Sequence, residues 1–338
     1  MSNEARKTVA ADDHILEVKN LKTFFSQGKK TVRAVNGVSF YLKRGEMLGI
    51  VGESGSGKSV TAKSIMRIIK SPGKIVDGEV LYNGVDLTKV PKRKMKNYRG
   101  SDLAMIFQEP LSALNPSFSI GWQIEEAFRL HSKGLSKVER SKKVIEMLEK
   151  VKIPDAERRV KEYPHQFSGG MRQRALIAIA LACTPKILFA DEPTTALDVT
   201  VQADIMDLLA ELQRDMGLSV IFISHNFNLV AQRCERIMVM YAGTLVESAT
   251  SKTLLEGSRH PYTIGLLNSI PDIDKPDQKL AAIPGDIADL TDDVKGCVFA
   301  PRCSFATERC FAEKPEMKLV GEEHYCACHL CDERGEGR

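Results

Sequence analysis

Short apolar runs recur along this chain, each bounded by polar or turn-forming residues. Met47-Leu48-Gly49-Ile50-Val51, Leu103-Ala104-Met105-Ile106-Phe107, Ile187-Leu188-Phe189-Ala190 and Val220-Ile221-Phe222-Ile223-Ser224 have the length and continuity of buried strands. Further strands are expected near Ile15 to Val18, Val35 to Leu42 and Val80 to Tyr82, which suggests a β-rich subdomain beside the core. From residue 109 to about 175 the period is helical and strand signals are few, so an α-helical subdomain is predicted there. The fold class read from this pattern is α/β. The longest apolar stretch, Ala175 to Cys183, is broken by Thr184-Pro185-Lys186 and is too short to cross a bilayer.

Three of the runs carry polar residues that change the picture. The run ending at Val51 leads into Gly52-Glu53-Ser54-Gly55-Ser56-Gly57-Lys58-Ser59, a complete G-x-x-x-x-G-K-S phosphate loop, with Val60 in the first turn of the helix behind it. Its glycines let backbone N–H groups fold inward around phosphate oxygens, Lys58 meets the β/γ-phosphates, and Ser59 supplies a hydroxyl for Mg²⁺. A nucleoside triphosphate is the expected ligand. Downstream, Ser168-Gly169-Gly170 opens the apolar segment Ala175 to Ala182; Ser168 suits a helix N-cap, and the two glycines permit close backbone approach to a ligand. The strand before Pro193 ends in Asp191-Glu192, placed to hold Mg²⁺ and to polarise an attacking water respectively.

Composition narrows the function classes. With 338 residues, 43% of them hydrophobic and 27% charged, the chain can bury one large core and a small extra domain. The N-terminal Met1 to Lys7 lacks the apolar core of a signal peptide, so a cytosolic location is expected. A net charge of +4 is too small to argue for nucleic acid. The denser basic run of Lys89, Lys92, Arg93, Lys94, Lys96 and Arg99 lacks interleaved aromatics and reads as a solvated segment without chemistry.

The order of these motifs resembles that of the ATP-binding cassette (ABC) ATPases over residues 14–250, and the resemblance implies further site residues. Gln108 corresponds to the Q-loop glutamine that touches Mg²⁺ and water, Ala196-Leu197-Asp198 to the D-loop, and His225 to the switch histidine at the γ-phosphate. Lys22-Thr23-Phe24-Phe25 offers two rings for adenine stacking, of which Phe24 fits the family position better. Ser168-Gly169-Gly170 becomes the family signature, with Phe167 and Met171 departing from its commonest form. In this family the signature of one subunit completes the site on another, so a lone chain holds two half-sites. The loop Glu109 to Pro116, followed by Phe118, Ile120 and Trp122, is where relatives receive a helix of a membrane subunit. The expected fold is thus a P-loop NTPase core of the ABC type.

Residues 251–338 change character and hold six of the eight cysteines: Cys297, Cys303, Cys310, Cys326, Cys328 and Cys331. In a cytosolic protein a cysteine cluster reads as metal binding rather than disulfides. The C-x₅-C-x₆-C spacing lacks the paired C-x-x-C knuckles of most structural zinc sites and is compatible with an iron–sulfur cluster. His260-Pro261-Tyr262-Thr263, Asp198 to Ala203 and Gly296 to Cys303 resemble the dipeptide and oligopeptide importer ATPases, with the C-terminal extension of that group. That resemblance implies hydrolysis of ATP with Mg²⁺, and a [4Fe-4S] cluster on Cys297, Cys303, Cys310 and Cys328. Cys326 rivals Cys328 for the last place. It also implies a second, different ATPase subunit, two transmembrane permease subunits, an extracytoplasmic peptide-binding protein, and a peripheral position on the cytoplasmic face of the membrane. The competing readings are a soluble ABC ATPase of DNA repair or translation, an importer of nickel, and a nucleotide-binding module without turnover.

Overall fold

The computed structural model describes residues 13–109, 113–132, 134–194, 197–269, 283–291 and 294–333. Among them, the strands in chain order are β1 (His14–Gln27), β2 (Lys30–Lys43), β3 (Met47–Val51), β4 (Gly73–Tyr82), β5 (Val85–Asp86), β6 (Leu103–Ile106), β7 (Ile187–Asp191), β8 (Ser219–Ser224), β9 (Arg236–Tyr241), β10 (Thr244–Thr250), β11 (Lys318–Gly321) and β12 (His324–Cys326). They form an antiparallel sheet in the order β2-β1-β4-β5 and a larger mixed sheet in the order β11-β12-β10-β9-β3-β8-β7-β6.

The five strands from β9 to β6 run parallel, and β3, β7 and β8 are buried along their whole length, as continuous apolar runs require. Alternation across the pleat divides the core. Leu48, Ile50, Phe189, Ile221 and Ile223 face the antiparallel sheet and helix α1 (Lys58–Ile65). Met47, Val51, Leu188, Ala190, Val220 and Phe222 face the helical side. The helix Phe227–Ala231 lies so close to β3 that a Cβ on Gly49 would stand 2.1 Å from Val230 Cγ1.

Between the strands β6 and β7 lie helices Ile120–His131 and Lys137–Lys150 and the short Ala156–Arg159, leading to helix Gly169–Leu181. Ser119 caps the first of these, and Ser136 with Glu139 closes a reciprocal cap on the second. The basic run is an exposed 3₁₀ segment anchored by buried Met95, with Lys89 paired to Glu79 and Asp86. No helix among the described residues is long and apolar enough to cross a membrane.

β10 ends at Thr250, but β12 pairs with it, Glu247 facing Cys326 and Ser248 facing Tyr325, so the extension lengthens the core sheet. Tyr262 and Phe299 enter the same core as Tyr241, with ring centroids 4.7 and 5.2 Å from it. The junction is polar as well: fully buried Glu247 accepts from the Arg259 and His260 backbone N–H groups at 2.6 and 3.2 Å, and its carboxylate lies 2.7 Å from His324 Nε2.

Candidate functional site

A cleft of about 660 Å³ opens where β3, β7 and β8 end, lined by Ser54, Gly55, Gly57, Lys58, Ser59, Val60, Gln108, Glu192 and His225 among others. This is the carboxyl edge of a parallel sheet, where open α/β folds place their ligands. The loop Gly52–Gly57 can make its tight turn only with glycine: Gly57 has φ +101°, and a Cβ there would lie 2.3 Å from the Ala34 carbonyl. Gly57 is also the N-cap of α1 and offers no side chain to its first N–H groups, which leaves them available to an anion.

Lys58 is buried, and its ammonium donates to the Gly52 and Glu53 carbonyls at 2.7 and 2.8 Å. Burial lowers its pKa, and the carboxylates of Glu192, Asp191 and Glu53 oppose that shift. Ser59 Oγ donates to Asp191 Oδ1 at 2.5 Å, and Lys63 Nζ lies 3.6 Å from Asp191 Oδ2. Burial raises the Asp191 pKa despite those two partners. A hydroxyl and a carboxylate in direct contact are hard oxygen donors of the kind Mg²⁺ prefers, so the pair fits that ion. Glu192 Oε2 accepts from Gln108 Nε2 at 3.0 Å and lies 3.3 Å from His225 Nδ1. Gln108, 84 positions before Glu192 in the chain, and His225 well beyond it therefore meet on one oxygen.

Phe25, not Phe24, lines the cleft, together with Val32 and Ala34 of β2. On a strand successive side chains face opposite ways; Phe25 pairs with Val32, while Phe24 turns toward the Arg33 guanidinium, 5.8 Å from its ring.

The signature lies elsewhere. Ser168 caps helix Gly169–Leu181, its Oγ accepting from the Met171 N–H at 3.3 Å, and Ser168 and Gly169 are exposed without bordering the cleft. Asp198 likewise caps helix Val199–Met216, accepting from Val201 N–H at 2.9 Å. Ala196 of the D-loop, and Pro110, Leu111 and Ser112 of the loop after Gln108, lie outside the described residues.

Besides Val32 and Ala34, four residues escaped the sequence reading. Lys63 stands one helical turn after Ser59 on the same face, a spacing that could have revealed it. Leu290 borders the cleft, Tyr262 accepts from the Glu53 N–H at 2.9 Å, and Arg302 pairs with the Glu53 carboxylate at 2.8 Å. These three come from the extension, and no local pattern connects them to the phosphate loop.

In the extension, Cys297, Cys303, Cys310 and Cys328 line one narrow pocket with His260, Phe299 and His329. Burial, and then the Cys328 and Cys310 sulfurs, push the Cys297 thiol up to about 11. Cys326 is buried outside this pocket, hydrogen-bonded to Cys331. Among the described residues no three His, Cys, Asp or Glu side chains stand together at the reach of a single metal ion.

Residues 35–195 match the family model described as ABC transporter, and residues 246–310 match that described as oligopeptide/dipeptide transporter, C-terminal region. The chain is 43% identical over 315 residues to the dipeptide transport ATP-binding protein DppD of Escherichia coli, covering 93% of this chain and 96% of that one. It is 48% identical over 313 residues to the oligopeptide transport ATP-binding protein OppD of Bacillus subtilis, covering 92% and 87% respectively. Among solved structures, the dimeric, post-hydrolysis form of the ATP-binding cassette MJ0796 bound to ADP and Pi superposes with a TM-score of 0.63 at 29% identity, over 70% of this chain and 98% of that one.

Proposed function

Because this chain belongs to the ABC transporter ATPases, and within them to the group with the oligopeptide/dipeptide transporter C-terminal region, we propose that it hydrolyses ATP to energise uptake of dipeptides or oligopeptides across the cytoplasmic membrane. The observation that carries this reading is the convergence of Gln108, Glu192 and His225 beside Lys58 and the Ser59–Asp191 pair in one cleft. Lys58 exchanges the loop carbonyls for the β/γ-phosphates, and the uncapped N–H groups of α1 receive the same anion. Ser59 and Asp191 would hold Mg²⁺, which when bound would neutralise phosphate charge. Glu192 accepts a proton from the attacking water, with Gln108 and His225 holding its carboxylate in place.

Ser168, Gly169, Gly170 and Asp198 stand outside the chain's own cleft, which supports a role at the cleft of a second ATPase subunit, a different chain in this reading. The dimer sits peripherally on the cytoplasmic face beneath two permease subunits, and a peptide-binding protein delivers cargo from the other side. The contact with the permease falls on the helical subdomain near Gln108, where Phe107 and Phe118 are exposed and Phe118 stacks on Trp122 at 4.0 Å. Residues 14–250 form the ATPase domain, with the helical subdomain at about 109–175, and 251–338 the extension. The shared pocket of Cys297, Cys303, Cys310 and Cys328 supports a structural [4Fe-4S] cluster there.

In the assembled transporter, Glu192→Gln is expected to retain ATP binding while hydrolysis falls by about a hundredfold or more. Near-parental turnover would remove Glu192 from that role. Uptake of a labelled dipeptide and of a longer peptide into vesicles carrying the whole assembly tests the cargo; transport of neither overturns it. Anaerobic purification should give brown protein whose colour is lost in Cys297→Ser, and colourless protein overturns the cluster.

A further inference from the structure

The phosphate loop contains one carboxylate, Glu53, in a segment whose ligand is a polyanion. Uncompensated, that charge repels phosphate. It is compensated from the far end of the chain: Arg302 donates to Glu53 through both terminal nitrogens, NH1 to Oε2 at 2.8 Å and NH2 to Oε1 at 3.2 Å. This two-point geometry is the strongest that guanidinium and carboxylate make, and it fixes direction as well as charge. The Arg302 side chain is 5% exposed, and its remaining donors are engaged by the Pro284 and Ile283 carbonyls at 2.9 and 3.2 Å and by the Tyr241 hydroxyl at 3.4 Å. The residue cannot swing away without breaking several hydrogen bonds, one of them to the buried Tyr241.

Two neighbours tighten the arrangement. Tyr262, also from the extension, takes the Glu53 backbone N–H, so both ends of this loop residue are held by residues beyond position 250. Arg302 closes the 3₁₀ turn Ala300–Arg302, and the next residue, Cys303, borders the cysteine pocket. Phe299, which opens that turn, packs 5.3 Å from the Tyr262 ring. A continuous chain of buried contacts thus runs from the cysteine pocket to the phosphate loop.

We infer that Arg302 is a positioning residue of the nucleotide site, which by neutralising and orienting Glu53 makes ATP affinity depend on the docked state of the cysteine-bearing segment. This rests on the proposal that the phosphate loop takes ATP. A lone structural staple would also hold the extension down, but it would not care about the charge on Glu53.

The test uses the full chain and the affinity of a fluorescent ATP analogue. Arg302→Ala is expected to weaken binding roughly tenfold, a typical size for coupling between distinct sites. Glu53→Gln added to Arg302→Ala is expected to restore most of the loss, because no carboxylate then needs neutralising. Parental affinity in Arg302→Ala overturns the inference. So does a double variant as weak as Arg302→Ala, which would show that Arg302 acts by staple alone. If Arg302→Ala does not fold, Arg302→Lys keeps the charge and loses the fork; its smaller loss must again vanish with Glu53→Gln, and a loss that persists overturns the inference. Lys58→Ala in the same assay separates the two claims: a parent that binds no better than Lys58→Ala counts against nucleotide binding itself.

Discussion

Glu192 holds its backbone at φ +48°, in the left-handed region that side chains with a Cβ avoid, and its N–H is fixed to the Ile223 carbonyl at 3.0 Å. Strain of this kind costs on the order of 1–3 kcal/mol and persists where the surroundings over-determine it. Here it aims the carboxylate at the point where Gln108 and His225 meet. Glu192→Gly should therefore be more stable to thermal unfolding than Glu192→Ala by about 1 kcal/mol, both lacking turnover. Equal stabilities would show that the backbone is not strained. A second expectation concerns the two phenylalanines. Phe25→Ala should weaken nucleotide binding by roughly tenfold, in keeping with base stacking of about 1–3 kcal/mol, and Phe24→Ala much less. A larger loss in Phe24→Ala in the same titration would restore the sequence-based choice. Lys58, Ser59, Asp191 and Glu192 were legible because each follows or closes a strand in a recognisable string of residues. Which of two adjacent rings faces the ligand was not, because it depends on the register of β1 against β2, set by residues several positions away.

At the scale of elements, the buried strands of the parallel sheet were plain in the sequence because a short, unbroken apolar run between turn-forming residues has no polar face to show to water and so must be covered on both sides. β11 and β12 were not: they span 4 and 3 residues, too short for a periodic signal, β12 gaining its place by pairing with β10 and β11 by pairing with β12. The docking of the extension also depends on helix Pro261–Asn268, whose N-cap is a histidine. His260 Nδ1 accepts from the Tyr262 N–H at 3.1 Å, and the ring is 1% exposed, so a proton can be added only by losing the cap inside an apolar wall. Burial accordingly lowers its pKa to about 4, with the nearby Glu247 carboxylate pulling weakly the other way. The sign follows. Above about pH 6.5 both folded and unfolded chains carry a neutral ring; as pH falls from there toward 4 the unfolded chain takes up a proton that the folded chain refuses, and stability is lost. A shift of this size corresponds to roughly 3 kcal/mol across that window. His260→Asn, which preserves a cap-forming side chain, should flatten the pH dependence of unfolding between about 6.5 and 4. A slope unchanged from the parent would mean that other groups carry it.

At the scale of the whole molecule, the cleft and the signature stand apart. The cleft holds the phosphate loop and the water-orienting residues, whereas Ser168 and Gly169 are exposed at the start of their helix and border no part of that cleft. Sequence could announce that division because each half is local. It could not show that the extension reaches the phosphate loop, since the bond between Arg302 and Glu53 spans 249 positions and leaves no local trace. The division itself yields a test. In an assembly of two different ATPase subunits, Glu192→Gln in this chain silences its own site, and the hydrolysis that remains belongs to the partner's phosphate loop. If the exposed Ser168 helix start completes that partner site, adding Ser168→Arg should lower the remaining hydrolysis by at least about tenfold, the loss expected when a positioned hydrogen-bond donor at a reacting phosphate is replaced by bulk. The isolated variant chain should still bind ATP as the parent does, because Ser168 touches nothing in its own cleft. Its helix loses a cap worth about 1 kcal/mol, which intact ATP binding shows to be tolerated. Residual hydrolysis that is indifferent to Ser168→Arg, or loss of ATP binding by the isolated variant, would place the signature within the chain's own site and refute the shared arrangement.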